Sequence, residues 1–127
     1  MQLKRVVVTG LGALTPIGNN IEEYWDALIS GKSGSAPITY YDTEKFKVKF
    51  ACELKNYSTE DYFDRKEGRK LDRFAQYALI SSDEAILDSK LDLEKVDKFR
   101  VGVIWGAGIG GLETFQNEVM NFANGDG

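Results

Sequence analysis

Val6-Val7-Val8-Thr9-Gly10-Leu11-Gly12 is the stretch on which the fold turns. A continuous β-branched run that breaks straight into glycine is the pattern of a strand buried on both faces, handing over to a tight turn. Residues 5–10 are therefore predicted to be such a strand. The pattern returns at Val101-Gly102-Val103-Ile104-Trp105-Gly106-Ala107-Gly108-Ile109-Gly110-Gly111, which predicts a second strand over residues 101–105 and a glycine turn after it. Both turns look like places where backbone approaches something closely.

Helical segments lie between and after these runs. Asn20-Ile21-Glu22-Glu23 offers an N-cap with a glutamate three residues on, the capping-box pattern. Ile21, Tyr24, Trp25, Leu28 and Ile29 follow at helical spacing, and Gly31 supplies the stop. Ser58 or Thr59 is placed to cap a single turn reaching Tyr62-Phe63. A longer helix is expected to bury Leu71, Phe74, Ala75, Ala78, Leu79, Ala85 and Ile86, and a last one, near residues 112–123, to turn Phe115, Val119 and Phe122 inward. Phe46, Val48, Phe50, Cys52 and Leu54 alternate with a polar set rich in lysine, predicting a half-buried strand or ribbon. The order strand, helix, ribbon, helix, strand, helix is that of an α/β layered architecture with a largely parallel sheet.

Composition narrows the function. The 127 residues are 43% hydrophobic, enough for a real core, and length alone predicts one domain. A net charge of −4 argues against general nucleic-acid binding. No apolar run approaches the roughly 20 residues of a membrane span. The basic pair Lys4-Arg5 before an apolar run has no cleavage site of small residues behind it, unlike a signal peptide. With one cysteine and no histidine, the chain has no internal disulfide and lacks the usual acid–base groups, and a cytoplasmic location is expected. Neither a metal nor a cofactor is called for.

Four features invite a chemical reading. Gly106-x-Gly108-x-x-Gly111 matches the dinucleotide fingerprint, but the acidic residue about 20 positions on that would hold the ribose is missing. A small dinucleotide-binding module built on this turn is kept as the alternative function. Gly31-Lys32-Ser33 looks like the end of a P-loop, yet Asp26 occupies the first glycine position and the triplet follows a helix. Cys52 has no histidine to activate it and falls on the apolar side of the ribbon, so it reads as a small buried hydrophobe. Residues 65–73 carry Arg65, Lys66, Arg69, Lys70 and Arg73 against Glu67 and Asp72, a local charge of +3 in an acidic chain. A solvated helix entrance and a site for an anionic partner explain this equally well.

Arg5-Val6-Val7-Val8-Thr9-Gly10-Leu11-Gly12, Pro16-Ile17-Gly18-Asn19, Arg65-Lys66-Glu67-Gly68-Arg69-Lys70-Leu71-Asp72 and Gly106-Ala107-Gly108-Ile109-Gly110-Gly111 together resemble the β-ketoacyl-acyl carrier protein synthases of bacterial fatty-acid synthesis. The basic segment followed by Phe74-Ala75-Gln76-Tyr77 is most similar to the type II branch of that family. The resemblance implies a thiolase-like layered fold (α-β-α-β-α), incomplete in this chain, with residues 1–127 as the N-terminal part of the condensing-enzyme domain. It implies a homodimer that elongates acyl chains. A cysteine would accept the acyl group from acyl carrier protein, and two histidines would assist decarboxylation of malonyl-carrier protein. That cysteine and those histidines would lie beyond Gly127, so no catalytic residue falls within 1–127 and the 127 residues alone are expected to be inactive. Lys66, Arg69 and Lys70 match the family's docking surface for the acidic carrier protein. Ile109 matches its acyl-pocket gate, on a turn whose glycines allow movement.

Overall fold

In the computed structural model, which describes residues 3–125, the elements run α1 (Ile21–Ile29), β1 (Ala36–Pro37), β2 (Phe50–Ala51), a 3-10 turn (Thr59–Asp61), α2 (Arg65–Gly68), α3 (Arg73–Ser89), a 3-10 turn (Lys98–Arg100) and α4 (Leu112–Asn124). They fall into two compact units. One comprises the chain up to Tyr57 together with Ser81–Asp92, and the other Ser58–Ile80 together with the chain from Leu93 on.

The first unit is organised by the turn after the valine run. A Cβ on Gly12 would collide with the carbonyl oxygen of Ser81 and lie 2.8 Å from the amide nitrogen of Ala85, and Gly10 is as tightly placed against Ala85 and Ser89. Only glycine lets the backbone lie directly on that helix. Once there, its amides reach the helix's acids. Leu11 N donates to Asp88 Oδ2 (2.8 Å) and Ala13 N to Glu84 Oε2 (2.7 Å). The other oxygen of Glu84 accepts from Ile21 N (2.7 Å), satisfying one of the amides that the start of α1 leaves without a helical partner. Thr15 and Gly18 close the intervening turn with reciprocal backbone bonds of 2.9 and 3.2 Å.

Capping of α1 follows the sequence reading. Asn20 Oδ1 accepts from Glu23 N (2.8 Å), while the Glu23 carboxylate reaches back to Asn19 N (2.9 Å), one residue before the cap itself. At the other end Gly31 sits at φ +69°, and Gly31 N→Leu28 O with Lys32 N→Ala27 O forms a Schellman motif. Gly31-Lys32 is thus a helix terminator, which disposes of the P-loop likeness.

The strand expectations are corrected. Residues 5–10 and 101–105 form no secondary-structure element, and neither pairs with another strand among the described residues. Val6 is 89% exposed and Ile104 99%. An apolar run signals that a segment is built to be covered, but pairing and burial need neighbours from distant sequence, which this stretch of chain does not provide. The ribbon shrinks to β1 and β2, antiparallel with Ala36 opposite Ala51 and Pro37 opposite Phe50. Its expected apolar face is only partly borne out: Leu54 is half-buried and Lys45, Lys47 and Lys49 are exposed as expected, but the rest departs. Phe46, Val48, Phe50 and Cys52 point to solvent, while Ala51, Glu53 and Lys55 are half-buried because Glu53 accepts from Thr39 N and Lys55 Nζ donates to Gly34 O (2.8 Å). Cys52 is therefore exposed and is not the buried hydrophobe expected. Phe115, Val119 and Phe122 of α4 are exposed too, as is Leu79 on α3, where the buried positions are instead the polar Gln76 and Ser81.

Candidate functional site

In the second unit, the basic segment begins with a helical turn, α2. Asp64 caps α2, its Oδ1 accepting from Lys66 N and Glu67 N at 2.8 Å each. The signal for this cap was present in Asp64-Arg65-Lys66-Glu67, an acidic capping pair three residues apart. The turn is then fastened from beneath by Gln76 of α3. Its Nε2 donates to Gly68 O (3.1 Å) and Leu71 O (2.9 Å), and its Oε1 accepts from Thr59 Oγ1 (3.0 Å). The sequence offers Thr59 only as one of two candidate caps for the turn reaching Tyr62-Phe63, and gives neither it nor Gln76 a part in holding the basic turn. A buried glutamine inside an apolar stripe was the available clue.

On this support Lys66, Arg69 and Lys70 all face solvent, and among the described residues their side chains enter no ion pair or hydrogen bond. Arg73, the fifth cation of the segment, differs: its Nε pairs with Glu113 Oε2 at 2.9 Å. The structure thus separates Arg73, a structural cation, from Lys66, Arg69 and Lys70, which have no counter-ion among the described residues. Beside the cluster, Thr59, Glu60, Phe63, Arg65, Gly68 and Arg69 line a shallow cleft of about 260 Å3. The Glu60 carboxyl titrates below the usual carboxylate range. The hydroxyl of Ser58 donates to it (2.7 Å), its own backbone amide contributes, and the Arg65 charge adds a smaller pull.

Ile109 lies in an extended glycine turn and is 77% exposed. Gly110 takes φ +75°, a conformation that L side chains rarely adopt, whereas a Cβ on Gly106 or Gly108 would meet nothing within 4 Å. This geometry corrects the dinucleotide alternative. That reading needs a helix N-terminus open to an anion. Here the start of α4 faces carboxylates: Asp72 lies against Gly111 and accepts from Thr114 Oγ1, and Glu113 is held by Arg73. A pyrophosphate would be repelled where it needs to bind. Among the described residues no cluster of His, Cys, Asp or Glu is arranged to hold a metal ion, and no helix is long and apolar enough to cross a membrane.

Comparison with known proteins agrees with the resemblance. The family described as "Beta-ketoacyl synthase, N-terminal domain" matches residues 3–126. The chain belongs to the beta-ketoacyl synthase family. Among the family's curated members it is similar to "3-oxoacyl-[acyl-carrier-protein] synthase 2" of Staphylococcus aureus strain COL, with 49% identity over 115 residues, covering 91% of this chain and 28% of the relative. The protein of the same description from Synechocystis sp. is 42% identical over 118 residues, covering 93% of this chain and again 28% of the relative. The chain therefore spans a little over a quarter of the length of these beta-ketoacyl synthases.

A solved ketosynthase/chain length factor, that of ishigamide, superposes with a TM-score of 0.80 at 31% identity, covering 94% of this chain and 30% of that one. A type II polyketide ketosynthase solved in complex with its acyl-carrier protein gives a TM-score of 0.53 at 26% identity, covering 72% of this chain and 23% of its own. The fold is thus the layered α/β, thiolase-like fold of beta-ketoacyl synthases, of which these residues are a part.

Proposed function

We propose that this chain is the N-terminal part of a β-ketoacyl-acyl carrier protein synthase II, an acyltransferase that elongates fatty-acyl chains by decarboxylative condensation. The observation that carries the reading is the match along nearly the whole chain to relatives bearing that description. In the reaction a cysteine thiolate of the full enzyme attacks the acyl thioester, and the carrier thiol leaves. Malonyl-carrier protein then loses CO2, and the resulting carbanion bonds to the acyl carbonyl carbon as the cysteine thiolate departs. Donors aimed at the developing enolate and oxyanion lower that barrier. These steps use residues outside 1–127, so the 127 residues alone do not condense.

The roles left to this part of the enzyme are recognition and access. Lys66, Arg69 and Lys70 dock the acidic carrier protein, a role supported by their lack of counter-ions in a chain of net charge −4. Such a surface steers encounter and sets orientation more than it adds raw affinity. Ile109 gates the acyl pocket, supported by its exposed apolar side chain on a turn with space around its glycines. The working enzyme is a homodimer in the cytoplasm, and the single cysteine without a disulfide is in keeping with a reducing compartment.

The test is condensation by the intact enzyme, supplied with acyl- and malonyl-carrier protein. Equal yields of CO2 and β-ketoacyl-carrier protein are expected. Malonyl-carrier protein left unconsumed by the acyl-primed enzyme would contradict the reading.

A further inference from the structure

A four-residue helix has too few internal hydrogen bonds to hold its own shape, so the geometry of α2 depends on what lies beneath it. The residue beneath it is Gln76, 4% exposed and therefore cut off from water that could replace its bonds. Its amide group has two protons, and both are used: one on the carbonyl of Gly68, the other on that of Leu71. Those two carbonyls bracket Arg69 and Lys70. The amide oxygen is held in turn by Thr59 Oγ1, which keeps the donors aimed at the turn. A neutral, buried group with no surface to offer a partner thus clips both ends of the dipeptide that bears two docking cations.

We propose that Gln76 is a positioning residue for carrier-protein docking: it fixes the backbone from which Arg69 and Lys70 project, so that their charges meet the acidic partner without first being ordered. The inference rests on the docking role proposed above. Preorganisation of this kind acts on association with the carrier and leaves the chemistry alone.

The test uses the full-length condensing enzyme with two substitutions. Gln76→Met keeps the volume and removes both donors, and Thr59→Val removes only the bond that aims them. Each is assayed with an acyl-carrier protein and with the matching acyl-pantetheine thioester, which has no protein to dock. Gln76→Met is expected to raise KM for the acyl-carrier protein about fivefold, the scale of one buried hydrogen bond, with kcat at saturation and KM for the pantetheine thioester within about twofold of wild type. Thr59→Val should shift the same constant in the same direction by less. Parallel rises in KM for both substrates would mark a general loss of structure and overturn the proposal, as would an unchanged carrier KM in both variants. Should Gln76→Met not fold, Thr59→Val decides by the same readouts. Combined reversal of Lys66, Arg69 and Lys70 to Glu separates the two levels of the argument. If that variant keeps its carrier KM, the docking role itself is wrong. If its KM rises while both support variants behave as wild type, only the role of Gln76 is wrong.

Discussion

The basic turn at residues 65–70 and the glycine turn at residues 106–111 belong to one unit and are held in opposite ways. In the first the backbone is pinned, by the Asp64 cap at one end and the two Gln76 bonds at the other, while the side chains of Lys66, Arg69 and Lys70 have no ion pair or hydrogen bond among the described residues. In the second the backbone has open space around Gly106 and Gly108, and the only side chain of size, Ile109, lies out in solvent. The glycine turn is anchored at its far end, where Asp72 accepts from Thr114 and Arg73 pairs with Glu113. A surface that must recognise a partner quickly gains from a rigid frame, whereas a side chain that must swing needs a frame that yields. The contrast is in keeping with the docking role proposed for the first turn and the gating role proposed for the second.

The largest effect expected from disturbing this contrast is at Ile109. In the intact enzyme, Ile109→Phe should lower kcat/KM for long acyl groups about tenfold or more while short ones remain usable, because the added bulk protrudes into the chain's path. Since the side chain is so exposed, stability should change by less than about 0.5 kcal/mol. Equal losses at every chain length, with a fall of about 1–3 kcal/mol in stability, would mark an ordinary plug over the core. The assay is kcat/KM across acyl lengths alongside thermal melting.

A smaller effect separates the anchored end of the glycine turn from its open end. Gly110→Ala forces a Cβ into the left-handed region and should cost about 1–2 kcal/mol, read from denaturant unfolding of the intact protein. Gly108→Ala meets nothing and should fall within about 0.5 kcal/mol of wild type. Equal costs at the two positions would mean that the turn is held along its whole length.

The legibility of the sequence divides along the same line. Local signals were readable: the Asn20 cap, the Gly31 stop and the span of α3 all appear where capping chemistry and helical spacing put them. The two strands were misread as covered, because the valine runs state a demand for burial without naming what meets it. The partial failure of the ribbon's alternation has a related cause. Glu53 and Lys55 find backbone partners at Thr39 and Gly34, and that pairing draws these two polar residues partly inward while Lys45, Lys47 and Lys49 stay exposed. At the candidate site the cations were plain from composition. Their support was not, because Gln76 acts through the carbonyls of Gly68 and Leu71, which bear no mark of it in sequence.

The smallest expected effect lies at the edge of the shallow cleft beside the basic turn. Ser58→Ala removes the main cause of the lowered Glu60 titration, so the midpoint should move up toward that of an ordinary glutamate, followed by side-chain NMR. The sign follows from linkage. A carboxyl depressed in the folded state contributes stability above its unfolded pKa and loses it as pH falls through the folded one, so the variant should show a shallower acid dependence. An unmoved midpoint would transfer the effect to Arg65 and the backbone amide.

The central claim, that an acidic carrier protein docks on the cations of the pinned turn, is tested most directly by its binding to the intact enzyme across a salt series. Wild type is compared with the variant in which Lys66, Arg69 and Lys70 are all replaced by glutamate. At low salt the variant should bind about tenfold or more weakly, the sum of several exposed charge pairs, and the gap should close as ionic strength rises. Equal affinity at low salt, or a deficit that salt does not diminish, would contradict the account.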